Sequence, residues 1–261
     1  MPVHPIRRDT KPRPGLSHAR REQDLPHAEA WLGERIRSDG VHELYALSSR
    51  DVAGSLAFAL LLGRRKQRQD ARPLLWVREK KGGGCHCVPY GPGLAELGLD
   101  PATVRLLCLP DGKAVLRASL DATRDGAASS MLIELCGRQK LLTLTATRRL
   151  ALAAAETGTM VLLVRSNAEP SPSAAHTRWQ VTCAPSHPLE AGAPGLPAFA
   201  LTLLRHRGGR DGLNLIVEWD RDTASFRERA ANADIAAAPV SRPASTVDAC
   251  RAGNERGPRA A

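Results

Sequence analysis

The stretch that follows the first predicted strand, residues 46–55 (ALSSRDVAGS), is where nucleotide chemistry would be expected. A phosphate-binding loop uses several glycines, whose backbone N–H groups approach the phosphates, and then a lysine and a hydroxyl residue at a helix start. This stretch has one glycine and no lysine, and Asp51 would repel a phosphate. The sequence therefore predicts a degenerate nucleotide site without a bound cofactor, formed by Ser48, Ser49, Arg50, Gly54, Ser55 and Glu134.

Glu134 belongs to this site because it lies near the end of a predicted apolar strand, residues 130–135. An acid in that place holds Mg²⁺ or water in nucleotide hydrolases. Without the lysine and the magnesium-binding hydroxyl, a structural carboxylate is the favoured interpretation. Weak nucleotide-dependent ATPase activity stays open as an alternative, but we expect no catalytic residue and no enzyme activity.

Other chemistry-bearing residues lack partners at motif spacing. Cys85-His86-Cys87 looks like a ligand cluster, but no second Cys or His pair follows at zinc spacing, so no metal site is predicted. His176, His187 and His206 have no acidic partner at the spacing of a known catalytic motif.

The excess of basic residues raises the question of nucleic acid, since the formal net charge is +10. Much of this charge is arginine in an alanine-rich chain, which a GC-rich genome also produces. The candidate DNA contacts are Arg64, Arg65, Lys66, Arg68, Lys80 and Lys81. A solvated loop face is the competing interpretation. We expect weak, sequence-independent binding at most, with a direct DNA-binding module as an alternative function.

The elements that must position these residues alternate between strand and helix up to residue 164. Continuous apolar strands separated by helices predict an α/β fold with a largely parallel sheet covered on both faces. The predicted strands are 43–47, 74–78, 104–109, 130–135 and 160–164, and the predicted helices are 51–62, 93–97, 112–124 and 145–157, with a loop at 64–68.

The pattern changes after Asn167, where apolar and polar residues alternate. Residues 179–183, 199–203 and 213–219 are predicted to extend the sheet as antiparallel strands, with residues 207–212 as a hairpin turn. Arg205, Arg207 and Arg210 concentrate guanidinium groups at this edge and are predicted to bind a protein partner. The alternatives are that they are solvated or pair with Glu218 or Asp220 across the hairpin.

The predicted organisation has four parts. A basic disordered tail covers 1–23, an N-terminal helix 24–40, the α/β domain 41–229 and a second disordered tail 230–261. No apolar run approaches the roughly 20 residues that span a bilayer. We expect a cytoplasmic, nucleoid-associated protein.

Six segments in this order resemble the ImuA family, and the resemblance covers about residues 27–229. They are 74–78 (LLWVR), 90–101 (YGPGLAELGLDP), 144–153 (LTATRRLALA), 177–179 (TRW), 203–212 (LLRHRGGRDG) and 217–220 (VEWD).

This resemblance implies a RecA-like core and a role rather than a reaction. ImuA-like proteins are accessory proteins of SOS-induced mutagenic translesion synthesis. Their implied partners are an ImuB-like Y-family polymerase homologue and an error-prone DNA polymerase, with RecA or a second copy of the chain as further candidates. In RecA-type ATPases a basic-x-basic pair reaches across a subunit interface, and Arg205 and Arg207 stand at the corresponding place.

Overall fold

A computed structural model describes residues 31–80, 89–190, 193, 195–209 and 212–229. Several sequence predictions lie outside these residues. They are the tails 1–23 and 230–261, the start of the N-terminal helix at 24–30, Lys81, the Cys85-His86-Cys87 cluster and Arg210.

Within the described residues the strands form one nine-stranded sheet in the order β3-β2-β4-β5-β1-β6-β7-β8-β9. The strands are β1 (Val41–Ala46), β2 (Leu74–Glu79), β3 (Val104–Leu109), β4 (Ser130–Cys136), β5 (Met160–Ser166), β6 (Thr177–Ala184), β7 (Ala198–His206), β8 (Asn214–Asp220) and β9 (Ser225–Arg229). The helices are α1 (Val52–Gln67), α2 (Gly91–Glu96), α3 (Gly112–Arg124) and α4 (Leu144–Thr157), and residues 31–35 are also helical.

The sheet is parallel from β3 to β6 and antiparallel from β6 to β9. This confirms the predicted α/β class, with a largely parallel sheet flanked by helices and extended by antiparallel strands. The central strands β1 and β5 are buried along their whole length, as continuous apolar runs predict.

Two apolar cores cover the two faces of the sheet. On one face α1 packs through Phe58 and Leu61 against residues that include Leu162 and Trp179. On the other face Val115 of α3 and Leu150 of α4 pack against the alternate residues of the same strands, such as Leu163. Each central strand therefore presents successive side chains to different cores.

Local signals explain why several predicted boundaries are correct. Asp111 caps α3 by accepting from the backbone N–H of Ala114, and Thr143 caps α4 by accepting from that of Ala146. Gly158 ends α4 with a φ of +67°, a left-handed conformation that glycine adopts without a Cβ clash.

Three predictions about elements differ from the structure. Helix α1 continues through the predicted loop at 64–68 to Gln67, where the Arg64 Nε donates to the Gly98 carbonyl at 2.6 Å and Lys66 Nζ lies 3.9 Å from Asp70 Oδ2. Strand β6 pairs antiparallel with β7, as predicted, but its pairing with β1 is parallel. The predicted helix at 24–40 is helical only to residue 35 in its described part.

Strand β9 was not predicted at all. It pairs antiparallel with β8 and fully buries Phe226. Its sequence, SFRER, offers one large apolar residue among charged ones, too little for a periodic pattern.

A buried hydrogen-bonded chain ties the turn that follows the helical segment at 31–35 to the middle of the sheet. The Trp179 indole donates to Thr177 Oγ1 at 2.7 Å, and Thr177 Oγ1 lies 2.6 Å from His42 Nδ1. His42 Nε2 lies 3.0 Å from the Arg37 carbonyl, which can only accept, so Nε2 carries the proton and Nδ1 accepts from Thr177. The neutral imidazole satisfies every partner, and burial lowers the pKa of His42 to about 3.

This lowered pKa predicts a loss of stability in acid. The unfolded chain binds a proton at His42 near pH 6.5, whereas the folded chain does so only near pH 3, so stability falls as the pH is lowered through this window. One proton contributes a slope of at most about 1.4 kcal/mol per pH unit. His42→Gln should flatten the pH dependence of the free energy of unfolding, measured in urea from pH 7 to pH 4.

His187→Gln is the matched control, because it replaces a histidine that is exposed. His176 adds a smaller contribution of the same sign, since burial and then the neighbouring His206 lower its pKa. An unchanged slope in His42→Gln would contradict the assignment of a neutral buried imidazole.

Candidate partner-binding groove and the loop after β1

The loop that joins β1 to α1 is closed by its own side chains. Residues Ser49–Asp51 form a 3₁₀ turn, and the Ser48 hydroxyl donates to Asp51 Oδ2 at 2.6 Å. Arg50 is exposed in this turn. The carboxylate of Asp51 therefore lies at the mouth of the loop, where a phosphate-binding loop would present N–H donors.

The two small residues at the start of α1 hold the helix on β6. A Cβ added at Gly54 would lie 2.4 Å from Cys183 Sγ, so glycine is what allows the helix to approach this strand. The Ser55 hydroxyl is fully buried and donates to the Val181 carbonyl at 3.2 Å. Gly54 and Ser55, two of the six residues of the predicted nucleotide site, are thus engaged in packing between α1 and β6.

Glu134 is buried on the face of the sheet that carries α1. Its Oε2 accepts from the Trp76 indole at 3.0 Å and lies 3.8 Å from Arg78 Nη1. The sequence predicted a structural carboxylate hydrogen-bonded to backbone. The partners described above are the side chains of two residues on the neighbouring strand β2, which supports the structural role.

The predicted DNA contacts are separated by the sheet. Gly63, beside Arg64, packs against Leu74 and Ser130, which are the first residues of β2 and β4. Lys80 directly follows the last residue of β2. The cations at 64–68 therefore lie near the amino end of β2 and Lys80 lies at its carboxyl end. These ends are roughly 20 Å apart along a six-residue strand.

Arg205 and Arg207 come together at one end of β7, in a groove against α4. The groove has a volume of about 520 Å³ and is lined by Leu144, Arg148, Ala151, Leu152, Ser173, Ala174, Arg205 and Arg207. No acidic side chain lies among these lining residues. We call this the arginine groove.

The pairing of these arginines across the hairpin was the wrong alternative. Glu218 pairs with Arg229, 3.2 Å away, and Asp220 pairs with Arg227. Arg205 instead donates to the Ser173 carbonyl at 3.2 Å, and the backbone N–H of Arg207 donates to the His176 carbonyl. The register of β6 and β7 shifts between Arg178 and Trp179. Because of this shift Arg205 lies opposite Arg178, whereas the buried Leu203 lies opposite Trp179.

Sequence reasoning missed the helical side of the groove. Leu144, Arg148 and Leu152 are spaced four residues apart, so they share one face of α4. That face lies apart from the buried stripe of Thr147, Leu150 and Ala154, and Leu144 and Leu152 are 54% and 57% exposed. Two exposed leucines flanking an arginine at helical spacing were the available signal.

A buried ion pair holds the segment that carries Ser173, one of the residues that line the groove. Glu43 of β1 is fully buried, and its Oε2 accepts from Arg178 Nε of β6 at 2.7 Å. Arg178 also donates to the Ser171 carbonyl and to Ser173 Oγ. The segment that Arg205 contacts is therefore held in place by the same guanidinium that neutralises Glu43.

Tyr45 lies beside this ion pair. The guanidinium carbons of Arg165 and Arg178 are 5.8 and 5.7 Å from the centre of its ring. Burial, and then the nearby Glu43 carboxylate, raise the pKa of Tyr45. The phenol therefore stays neutral at physiological pH.

Comparisons with known proteins show no family for this chain. No protein-family model matches this chain, and no curated protein matches it. Among solved structures, SulA from Pseudomonas aeruginosa matches with 22% identity and a TM-score of 0.35, covering 48% of this chain and 97% of that one. A likeness of this size carries no argument about function.

Among the described residues, no helix is long and apolar enough to cross a membrane. The same part of the chain contains no group of three metal-ligating side chains.

The contacts of Glu134 predict a structural cost for its removal. Glu134→Ala leaves the buried Trp76 indole without its acceptor and removes the carboxylate that lies 3.8 Å from Arg78, so it should lower the free energy of unfolding by about 2 kcal/mol. Glu79→Ala is the control, because this half-buried carboxylate accepts from Gln139 at 3.2 Å and should cost less than about 1 kcal/mol. Equal stability of Glu134→Ala and the parent chain, by urea denaturation, would contradict the structural role.

Proposed function

We propose that this protein is a non-catalytic, RecA-like accessory protein of SOS-induced mutagenic translesion synthesis that binds a protein partner through the arginine groove. The observation that carries the proposal is the lining of that groove. Arg148, Arg205 and Arg207 flank the exposed Leu144 and Leu152, with no acidic residue between them.

Such a lining suits an acidic, leucine-bearing segment of another protein. Arginine forms paired hydrogen bonds with carboxylates, and apolar anchors in a pocket supply most of the binding energy of typical interfaces. The resemblance to the ImuA family supplies the candidate partners. They are an ImuB-like polymerase homologue first, then an error-prone DNA polymerase, RecA or another copy of this chain.

The absence of catalysis is supported by the loop after β1, which we interpret as a degenerate phosphate loop. Ser55 donates to a backbone carbonyl and Glu134 accepts from Trp76. Asp51 places a negative charge where phosphate would bind. These residues support packing between elements rather than magnesium or nucleotide binding.

Purified full-length protein should therefore show no ATPase activity above background, with or without single-stranded DNA. The measurement is phosphate release at millimolar Mg²⁺ and ATP. A magnesium-dependent turnover of about 0.1 per second that Glu134→Gln abolishes would contradict the proposal, although this rate is slow for an enzyme. The Glu79→Gln variant controls for effects on stability.

Partner binding should depend on the groove. Arg205→Ala combined with Arg207→Ala should weaken binding of the ImuB-like homologue by about 2 kcal/mol or more, roughly thirty-fold in Kd. Arg148→Glu should weaken it as well, because it reverses an exposed charge on α4. Arg149→Glu is the matched control, since Arg149 is its exposed neighbour outside the groove lining.

The melting temperature should hardly change in any of these variants. Binding that both the Arg205/Arg207 variant and Arg148→Glu leave intact would make the groove a solvated surface. Unfolding of the Arg205/Arg207 variant would make those arginines structural, and Arg148→Glu would then decide whether the groove binds. Sedimentation of the chain alone separates self-association from binding of a different partner.

A further inference from the structure

A second concave site lies beyond the carboxyl ends of β1, β4 and β5. It is a crevice of about 930 Å³ between the loop that follows β4 and the segment that follows β5. Its lining includes Tyr45, Arg138, Lys140, Arg165 and Asn167 and shares no residue with the arginine groove. Open parallel sheets place ligands in this position relative to their strands.

Arg165 supplies the unusual feature of this crevice. It lies one residue before the end of β5 and is only 3% exposed. Its Nη2 donates to the Gly137 carbonyl at 3.3 Å, but Nε and Nη1 have no acceptor among the described residues. These two atoms carry three N–H donors, and leaving buried charged donors unsatisfied costs more than a hydrogen bond contributes.

Glu43, the acidic residue on the strand beside Arg165, does not accept a hydrogen bond from the Arg165 guanidinium. Glu43 lies on the neighbouring strand β1, where its Oε2 accepts from Arg178 and its Oε1 has no hydrogen-bond partner among the described residues. Tyr45, directly opposite Arg165 in register, offers the face of its ring, with 5.8 Å between guanidinium carbon and ring centre. A buried cation with open donors that lines a cavity is arranged to meet an acceptor from outside the chain.

The charges around the crevice favour an anion with more than one negative charge. Arg138 and Lys140 are exposed at its rim, so that with Arg165 three cations face it. Glu169 is the one acidic residue of its lining. Asn167 is exposed there with a φ of +48°, a left-handed conformation that asparagine tolerates better than most residues.

We propose that this crevice binds the phosphate group of a phosphorylated ligand, with Arg165 as the buried anchor and Arg138 and Lys140 as rim cations. A tetrahedral dianion offers several acceptors to the open guanidinium donors and balances the positive charge better than one carboxylate does. The volume exceeds that of a phosphate and matches a small-molecule site, so the phosphate belongs to a larger ligand. This inference does not depend on the partner proposed for the arginine groove.

The test titrates the full chain with inorganic phosphate and with thymidine monophosphate, against sodium chloride at equal ionic strength. Calorimetry and the melting temperature report binding. We expect saturable binding that Arg165→Gln weakens about ten-fold or more, and that Lys140→Gln weakens to a smaller degree. Arg149→Gln, an exposed cation outside the crevice, should bind like the parent chain.

The outcomes separate the sources of phosphate. Oligothymidylate without terminal phosphates that binds through Arg165 would assign the group to a nucleic-acid backbone, whereas preference for the monophosphate assigns it to a small molecule. Both support a phosphate site. No saturable effect beyond chloride, or binding that neither Arg165→Gln nor Lys140→Gln changes, overturns it. If Arg165→Gln fails to fold, Lys140→Gln and a paired Arg138→Gln/Lys140→Gln variant keep the test decisive.

Discussion

The ion pair between Glu43 and Arg178 is the interaction on which the arginine groove and the crevice beyond the carboxyl ends of β1, β4 and β5 depend. Glu43 is fully buried in the central strand β1, and a buried carboxylate without a partner is strongly destabilising. Arg178 Nε meets it at 2.7 Å from the adjacent strand β6. The pair therefore joins the parallel part of the sheet to the first strand of its antiparallel extension.

Arg178 also decides where the chain runs between β5 and β6. Its remaining donors bind the Ser171 carbonyl and Ser173 Oγ, and Arg205 binds the Ser173 carbonyl. This segment separates the arginine groove from the crevice, with Ser173 lining the groove and Ser171 lining the crevice. The Arg178 guanidinium thus holds in place a connection that has no regular secondary structure of its own.

The sequence predicted the fold where local signals and burial agree, and failed where only tertiary contacts decide. Strand β3 and helix α3 were predicted with their observed bounds, since a turn precedes the first and Asp111 caps the second. The parallel pairing of β6 with β1 was missed, although its antiparallel pairing with β7 was predicted. Alternation of apolar and polar residues indicates that one face of a strand is buried, but it does not indicate which strand lies beside it. Arg165 was missed because an arginine near the end of an apolar strand gives no sign of whether a carboxylate faces it.

The loop after β1 shows why a residue type alone does not define a site. Gly54 and Ser55 are the kinds of residue that a phosphate loop needs, yet the glycine makes room for Cys183 and the hydroxyl serves the Val181 carbonyl. Both contacts hold α1 against β6, the strand that also carries Arg178. On the proposal that this loop is a degenerate phosphate loop, the missing lysine is only part of the difference from a nucleotide hydrolase. The remaining small residues already fix the helix on which the position of the antiparallel strands, and with them the arginine groove, depends.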